Sequence, residues 1–303
     1  MDFVIEVDKM PLPGETLIGK NFTLIPGGKG ANQAYAIGKL GADVSMLGAV
    51  GNDEYGDKLL NNLKSVNVNI SSIKKINEVN TGCAFINVDN TGENSIVVVS
   101  GANEKISEEM INDNINLIDD ADIIVMQLEI PIEIVTLVSK IAHEKGKLVI
   151  LDPAPAVPNL SIELLSNVDI IKPNETEIQI LSGIETKSKE DIIRAANILI
   201  DKGVKNVIVT LGKNGSILVT KNKVESFSSL NVNVVDTTAA GDSFTAALAN
   251  SLLEGKSIED AIKYAHLVSS IVVTKKGAQT SIPNKMEIAN FLIEWRDKKW
   301  EKL

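Results

Sequence analysis

Apolar and polar positions alternate along this chain in distinct regimes. Residues 1–7, Met1-Asp2-Phe3-Val4-Ile5-Glu6-Val7, read as a strand already under way, stopped by a Pro/Gly turn at Pro11, Pro13 and Gly14. Over 81–99, an apolar run to Val88, the polar turn Asp89-Asn90-Thr91-Gly92-Glu93 and a second run Ile96–Val99 predict a β-hairpin. With the first strand it predicts a small separate sheet, the make-up of a lid, drawn from about 2–22 and 81–99. Between these pieces a glycine-bearing turn enters a helical pattern ending at Leu40 and Gly41, followed by a strand over Val44–Val50. From about residue 107 strands and amphipathic helical stretches alternate, the strands at Ile123–Leu128, Leu148–Leu151, Asp169–Ile171 and Val207–Thr210. That order predicts an α/β fold with a mostly parallel central sheet flanked by helices. Ligands of such sheets sit beyond the carboxyl ends of the strands. Polar residues collect there: Gln127, Glu129, Asp152, Lys172-Pro173-Asn174, Thr210, Gly212 and Asp236. No repeat or linker interrupts the pattern, so residues 1–303 are expected to form a single domain carrying the lid.

The stretch with the most chemistry is Asp236-Thr237-Thr238-Ala239-Ala240-Gly241-Asp242-Ser243-Phe244. It follows a strand-like run (Val232, Val234, Val235) and opens a helix of small residues over Phe244–Leu253. Ala-Ala-Gly lets the backbone come close to a ligand. A helix starting there aims unpaired N–H groups and its positive dipole end into the turn, which makes an anion site. Asp242 faces the same spot. A carboxylate beside an anion hole suits a general base for phosphoryl transfer. It equally suits a helix cap, a role open to Asp236 as well.

A second glycine turn, Gly27-Gly28-Lys29-Gly30-Ala31-Asn32-Gln33-Ala34, combines close backbone approach with donors from Lys29, Asn32 and Gln33. It is not a Walker A loop, because no Gly-Lys-Ser/Thr follows at the required spacing. Asn174 and Glu177 stand three apart at the start of a helix. They could hold a hydrated Mg²⁺ and a phosphate oxygen, or form a capping box. Asp152-Pro153-Ala154-Pro155 reads as a rigid turn and no more. His143 reads as solvated, and His266 as either a core residue or a contact to a nucleotide base. With two histidines and one cysteine in the chain, zinc is not expected, and no Gly-x-Ser-x-Gly anchors a serine triad.

Composition narrows the classes further. A hydrophobic share of 44% with mixed charge belongs to a well-cored globular protein. The net charge of -10 argues against nucleic-acid and anionic-membrane partners, though not against one nucleotide in a local site. The single Cys83 cannot make an internal disulfide, and no apolar run nears the ~18 residues of a membrane span. A soluble cytoplasmic protein is expected.

The two glycine motifs, in order and with the segments between them, resemble the ribokinase/PfkB family of carbohydrate kinases. Gly27 to Ala34 with Gly41 and Gly51 is similar to that family's first signature, and Asp236 to Phe244 to its second. The resemblance continues through Pro13-Gly14-Glu15-Thr16, Met126 to Glu129, Asp152 to Pro155, Lys172 to Glu177, Thr210-Leu211-Gly212 and Lys276 to Pro283, and so covers the whole chain. It implies ATP-dependent phosphorylation of D-ribose at its 5-hydroxyl, with another sugar or a nucleoside (deoxyribose, adenosine) as the alternative. Asp242 is then the base, and Ala239, Ala240 and Gly241 form the anion hole. Asp2, Gly28, Lys29, Gly30, Ala31, Asn32 and Glu129 are implied to bind the sugar. Asn174, Thr210, Leu211, Gly212, Lys213, Asn214, Gly215, Gly241 and His266 are implied at the nucleotide. Glu177 is implied to hold Mg²⁺ through water. Asp236, Thr238, Val272, Lys275, Gly277 and Ser281 match a K⁺ loop. Pairing of lids from two subunits into a homodimer is implied too.

One departure accompanies the match. Family members begin with a strand ending in Gly-Ser-x-Asn-x-Asp, of which only the last two positions stand here, ending in Asp2. The first central strand and a sugar-binding asparagine are therefore expected to be missing, as in a sequence that starts at an internal methionine of a longer protein. A folded sugar- or nucleotide-binding protein without transfer activity is the other reading.

Overall fold

The computed structural model describes residues 1–300. Its strands are β1 Asp2–Glu6, β2 Asn21–Ile25, β3 Gly48–Gly51, β4 Ile73–Ile76, β5 Cys83–Val88, β6 Asn94–Val99, β7 Ile123–Met126, β8 Leu148–Leu151, β9 Ile170–Ile171, β10 Asn206–Thr210, β11 Ser216–Thr220 and β12 Val224–Phe227. The helices are α1 Lys29–Lys39, α2 Glu54–Lys64, α3 Glu108–Asp113, α4 Ile115–Asp120, α5 Ile132–Glu144, α6 Ile162–Leu165, α7 Glu175–Ser182, α8 Lys189–Asp201, α9 Ala240–Leu253, α10 Ile258–Val272 and α11 Lys285–Trp300.

The main sheet runs β12-β11-β10-β9-β8-β7. β7 to β10 are mutually parallel, β11 runs antiparallel to β10, and β12, antiparallel to β11, forms the edge. Because successive side chains on a strand point to opposite faces, its apolar runs feed two cores. Val149, Leu151, Val207, Val209, Ile217 and Val219 pack on one face with Val135, Ile178, Ala195 and Leu199 of α5, α7 and α8. Ile150, Ile208 and Leu218 pack on the other with Phe244, Leu248, Ile262 and Val268 of α9 and α10.

The lid is a second sheet of order β2-β1-β5-β6. The hairpin turn is tied by Asp89, whose Oδ1 accepts from the Thr91 and Glu93 amides. Register sets the lid's two faces. Phe3 stands opposite Leu24 and Phe85, and Phe85 opposite Val97, so these apolar groups share one side. Phe3 stacks on Phe85 at 5.0 Å and meets Tyr55 of α2 edge-on at 5.2 Å. Phe22, Leu24, Phe85 and Val97 remain exposed. Asp2, Ala84, Ile86, Ile96 and Val98 line the cavity on the opposite side.

The expected gap in the central sheet is present. β3 pairs with β4 alone as a two-stranded parallel sheet, and β7 pairs with β8 alone, so the two sheets do not join among the described residues. One cavity of about 1180 Å³ is lined by both Gly48–Val50 and Ile123–Met126 and extends to Asp2 and Asp242.

Some local expectations fail. Val232 to Val235 form no strand: Val234 and Val235 are exposed, and the Val235 amide bonds the Val273 carbonyl at the end of α10. The Val235 and Asp236 amides are spent on the end of α10 and not on a sheet edge. The strand expected over Val44–Val50 shrinks to Gly48–Gly51, with an isolated bridge between Ser45 and Asn69. The second-signature helix starts earlier than the hydrophobic pattern indicates, at Ala240.

Candidate active site

The first glycine turn is shaped by what presses on it. Gly27 lies directly under the Asp2 carboxylate, which a Cβ there would overlap. Gly28 has φ 92°, a conformation open to glycine, and is the residue before α1. A Cβ on Gly30 would stand 2.8 Å from Gln127 Oε1. The Lys29 amide donates to Glu129 Oε2 at 2.8 Å, which joins the turn to the end of β7. Burial opposes the Lys29 charge, but the carboxylates of Asp242, Asp152 and Glu129 outweigh it and raise its pKa. Glu129 and Asp2 are pushed up, in each case foremost by burial.

The second turn holds Ala239 in the left-handed region, φ 60°, immediately before α9. That costs a non-glycine residue about 1 kcal/mol or more and is tolerated where the surroundings over-determine it. The Ala240 amide is spent on the Thr237 carbonyl, whereas the amides of Ala239 and Gly241 bond no carbonyl among the described residues. Asp242, in the first turn of α9, is 7% exposed. Its Oδ2 accepts from Asn32 Nδ2 at 2.8 Å and its Oδ1 from Gln33 Nε2 at 3.2 Å. Burial pushes its pKa up, the Lys29 charge opposes this, and Asp152 adds to it. The result is a desolvated acid, held by two amides, beside free backbone N–H groups at a helix N-terminus. That is the equipment of a base and an anion hole.

The cavity brings together Asp2, Gly28, Lys29, Gly30, Ala31, Asn32, Glu129, Ala239 and Asp242, residues separated by up to 240 positions in sequence. Around them stand partners that the sequence reading leaves outside the site. Gln33 is 1% exposed and bridges Asp242 to Asp152 (2.9 Å), while Gln127 donates to its Oε1 at 2.6 Å. Gln279 holds Asn32 Oδ1 at 2.9 Å. Asp152, expected as a plain turn residue, is in fact 2% exposed and ion-paired with Lys172 at 3.2 Å. All three carry a signal in sequence: Gln33 as a donor of the first glycine turn, Gln127 in the polar punctuation, and Gln279 within the Lys276 to Pro283 segment of the family resemblance.

The nucleotide-side residues lie along the ends of β9 to β11. Asn174 caps α7 in a full capping box, with Glu177 N to Asn174 Oδ1 and Asn174 N to Glu177 Oε2 both at 2.8 Å. The capping role is thus filled, and Glu177 Oε1 accepts nothing from the described residues, so one hard oxygen is left for a hydrated Mg²⁺. Leu211 to Gly215 form a closed turn, the Leu211 amide on the Gly215 carbonyl at 2.8 Å. Leu211 and Asn214 border a separate cavity of about 310 Å³. His266 is a core residue: it bonds Ser216 Oγ at 2.8 Å, meets Phe244 edge-on and lines neither of these cavities. Burial lowers its pKa to about 4.

The 236–238 and 272–281 segments lie side by side. Asp236 Oδ1 accepts from the Thr238 amide and Oδ2 from the Gly277 amide, both at 2.9 Å. The Val272 carbonyl accepts the Lys275 amide, and Ser281 Oγ donates to the Ala278 carbonyl. Asp236 thus ties the two segments together, its carboxylate oxygens engaged by amides from both. Among the described residues no cluster of three or more His, Cys, Asp or Glu could hold a metal, and no helix is long and apolar enough to cross a membrane.

A helix N-terminus with a buried acid, opening on a large cavity under a β-lid, has the make-up of a group-transfer enzyme. The sequence profile of the pfkB family carbohydrate kinases matches residues 1–285, and this chain belongs to that family. It is 43% identical over 291 residues to the ribokinase of Haemophilus influenzae, covering 96% of this chain and 95% of that one. It is 36% identical over 292 residues to the deoxyribokinase of Salmonella typhi, with 96% and 95% covered. The structure of Arabidopsis thaliana ribokinase complexed with ribose and ATP superposes with a TM-score of 0.89 at 36% identity, covering 96% of this chain and 95% of that one.

Proposed function

We propose that this chain transfers the terminal phosphoryl group of ATP to the 5-hydroxyl of D-ribose. The observation that carries the proposal is Asp242, buried, fixed by Asn32 and Gln33, and facing the cavity that Asp2, Lys29 and Glu129 share. The Arabidopsis relative, complexed with ribose and ATP, supports the choice of both substrates. Asp242 takes the proton of the attacking hydroxyl, which its raised proton affinity favours. The amides of Ala239 and Gly241 meet the charge that develops on the phosphoryl oxygens. Asp2, Glu129 and the 28–32 turn hold the sugar hydroxyls, and the 210–215 turn with Asn174 borders the nucleotide.

Mg²⁺ bound with ATP supplies neutralisation of phosphate charge, and Glu177 holds its water shell. Oxygens of Asp236, Thr238 and the 272–281 segment would hold K⁺, which would order the Ala239–Gly241 turn, a positioning effect. The exposed apolar side of the lid, with Phe22, Leu24, Phe85 and Val97, supports pairing of two copies through their lids. On this reading the enzyme works in the cytoplasm as one domain with a lid, which its mixed-charge composition supports.

The test is ADP release by the purified chain with Mg-ATP, K⁺ and a panel of pentoses, hexoses and nucleosides, beside Asp242→Asn. Ribose-dependent turnover absent from the variant is expected. Turnover restricted to 2-deoxyribose would select the reading that the Salmonella relative favours. No turnover on any sugar by folded protein would overturn the kinase reading.

A further inference from the structure

The buried pair Lys172–Asp152 belongs to neither the sugar-binding nor the nucleotide-binding residues above. Lys172 follows β9 and Asp152 follows β8; their side chains are 5% and 3% exposed, with Nζ 3.2 Å from Oδ2. Packing alone does not explain the pair. Two buried charges lose their hydration, and apolar residues of similar volume serve a core as well or better. Nor is the network closed within the protein: Asp152 Oδ2 takes Lys172, Gln33 and Thr245, whereas the buried Oδ1 has no partner among the described residues. Buried polar atoms left so are rare and call for a functional explanation.

The position supplies one. Lys172 Nζ stands 3.5 Å from the point where a Cβ on Gly241 would lie, and so packs against the first turn of α9. Asp152 is its one ion-pair partner among the described residues, and a lysine ammonium carries three N–H donors. Its charge acts on Glu177 on one side, and Asp152 acts on Asp242 on the other. Gln33 Nε2 touches both acids, so the pair is mechanically linked to the base.

Resting on the kinase reading above, we infer that Lys172 is a fixed cation of the phosphoryl site, set against the Ala239–Gly241 turn to hold the terminal phosphate, and that Asp152 positions it. A compact ammonium suits this role, because charge in phosphoryl transfer is spread over three equatorial oxygens and the site works by fixed electrostatics.

The test uses the paired variant Asp152→Asn/Lys172→Met, which removes both charges and orphans neither, beside Asp152→Asn and Lys172→Arg. Affinity is measured for a non-hydrolysable ATP analogue and for AMP, with thermal melting as a folding control. Loss of one charge-assisted phosphate contact predicts about 10- to 100-fold weaker binding of the analogue by the paired variant. AMP affinity is expected to stay within about 2-fold, a change of under ~0.5 kcal/mol. In turnover, kcat falls with the sugar KM unchanged; Lys172→Arg and Asp152→Asn, which keep a cation but change its shape or its anchor, lose more than about 2-fold of the analogue affinity and less than the paired variant. Equal loss for analogue and AMP, or no loss for either, overturns the inference and leaves the kinase reading standing. A folded wild-type chain that binds neither nucleotide overturns both.

Discussion

The two halves of this molecule are built to different standards of closure, and the active site lies on the line between them. On one side, β8 to β11 are paired on both edges and covered on both faces, with Val149, Ile150, Leu151, Val207, Ile208 and Val209 fully buried. On the other, β3 and β7 each pair with one neighbour and face a cavity of about 1180 Å³. The closed half contributes the base, because α9 is wedged against α10 and the sheet. The open half contributes Asn32 and Gln33, the two amides that hold that base, from α1. The rigid side thus carries the group whose position decides the chemistry. The side with the gap carries the first glycine turn, which is tied to the base through Asn32 and Gln33.

The largest effect that tests this division is Asp242→Asn, which should lower kcat by about 10²- to 10⁴-fold, the worth of a positioned general base. Its effect on stability should have the opposite sign. An acid whose folded pKa is raised binds protons more tightly when folded, so the folded state loses stability as pH climbs from the ordinary carboxylate value through the folded one. Once pH has passed the folded value that cost is fully present, and the amide removes it. The variant should melt no lower than the parent by calorimetry; a lower melting point would mean that Asp242 also holds the halves together.

Core truncations compare the halves directly. Ile208→Ala, in the closed half, should cost about 2–5 kcal/mol. Val50→Ala, lining the open cavity, should cost nearer 1 kcal/mol, because its surroundings already contain space. Urea titration of both variants measures the difference, and equal costs would dissolve the distinction.

His266 reports on the closed half through pH. Its folded pKa is lowered to about 4 from an unfolded value of 6.5, so the unfolded chain binds the extra proton first. Stability from the neutral, buried ring is complete above about pH 6.5 and is lost as pH falls toward 4. The loss approaches ~3 kcal/mol at ~1.4 kcal/mol per tenfold in proton affinity. The parent should therefore lose more stability than His266→Gln between those pH values; parallel curves would show that the ring is hydrated.

The smallest effect is at the edge of the nucleotide side. Asn174→Ala removes one half of the α7 capping box and should cost about 1 kcal/mol. It should weaken nucleotide binding beyond that only if Asn174 also meets phosphate, which calorimetric titration with ADP would register.

Much of this was legible in order along the chain. The hairpin over 83–99, the parallel strands β7 to β10, the lid and both glycine turns follow from patterns within a few residues of each other. The gap beside β7, visible in the pairing of β3 and β7, was implied by the family resemblance and by no local pattern. What failed was local pattern without partner. Val232, Val234 and Val235 look like a strand and lie exposed. β11 and β12 were not anticipated at all, because the expected alternation of strand and helix gives no place to an antiparallel return.

The sequence by itself determined which turns bring backbone close to a ligand, because φ above zero and the lack of a Cβ are properties of single residues such as Gly27 and Gly28. It also determined that Asp242 opens a helix. Only the tertiary structure decided that Gln33, 209 residues away, would join Asp242 to Asp152, and that Lys172 would lie beneath Gly241. Such contacts depend on how sheets and helices stack, and stacking distances do not appear in the spacing of residues along one chain.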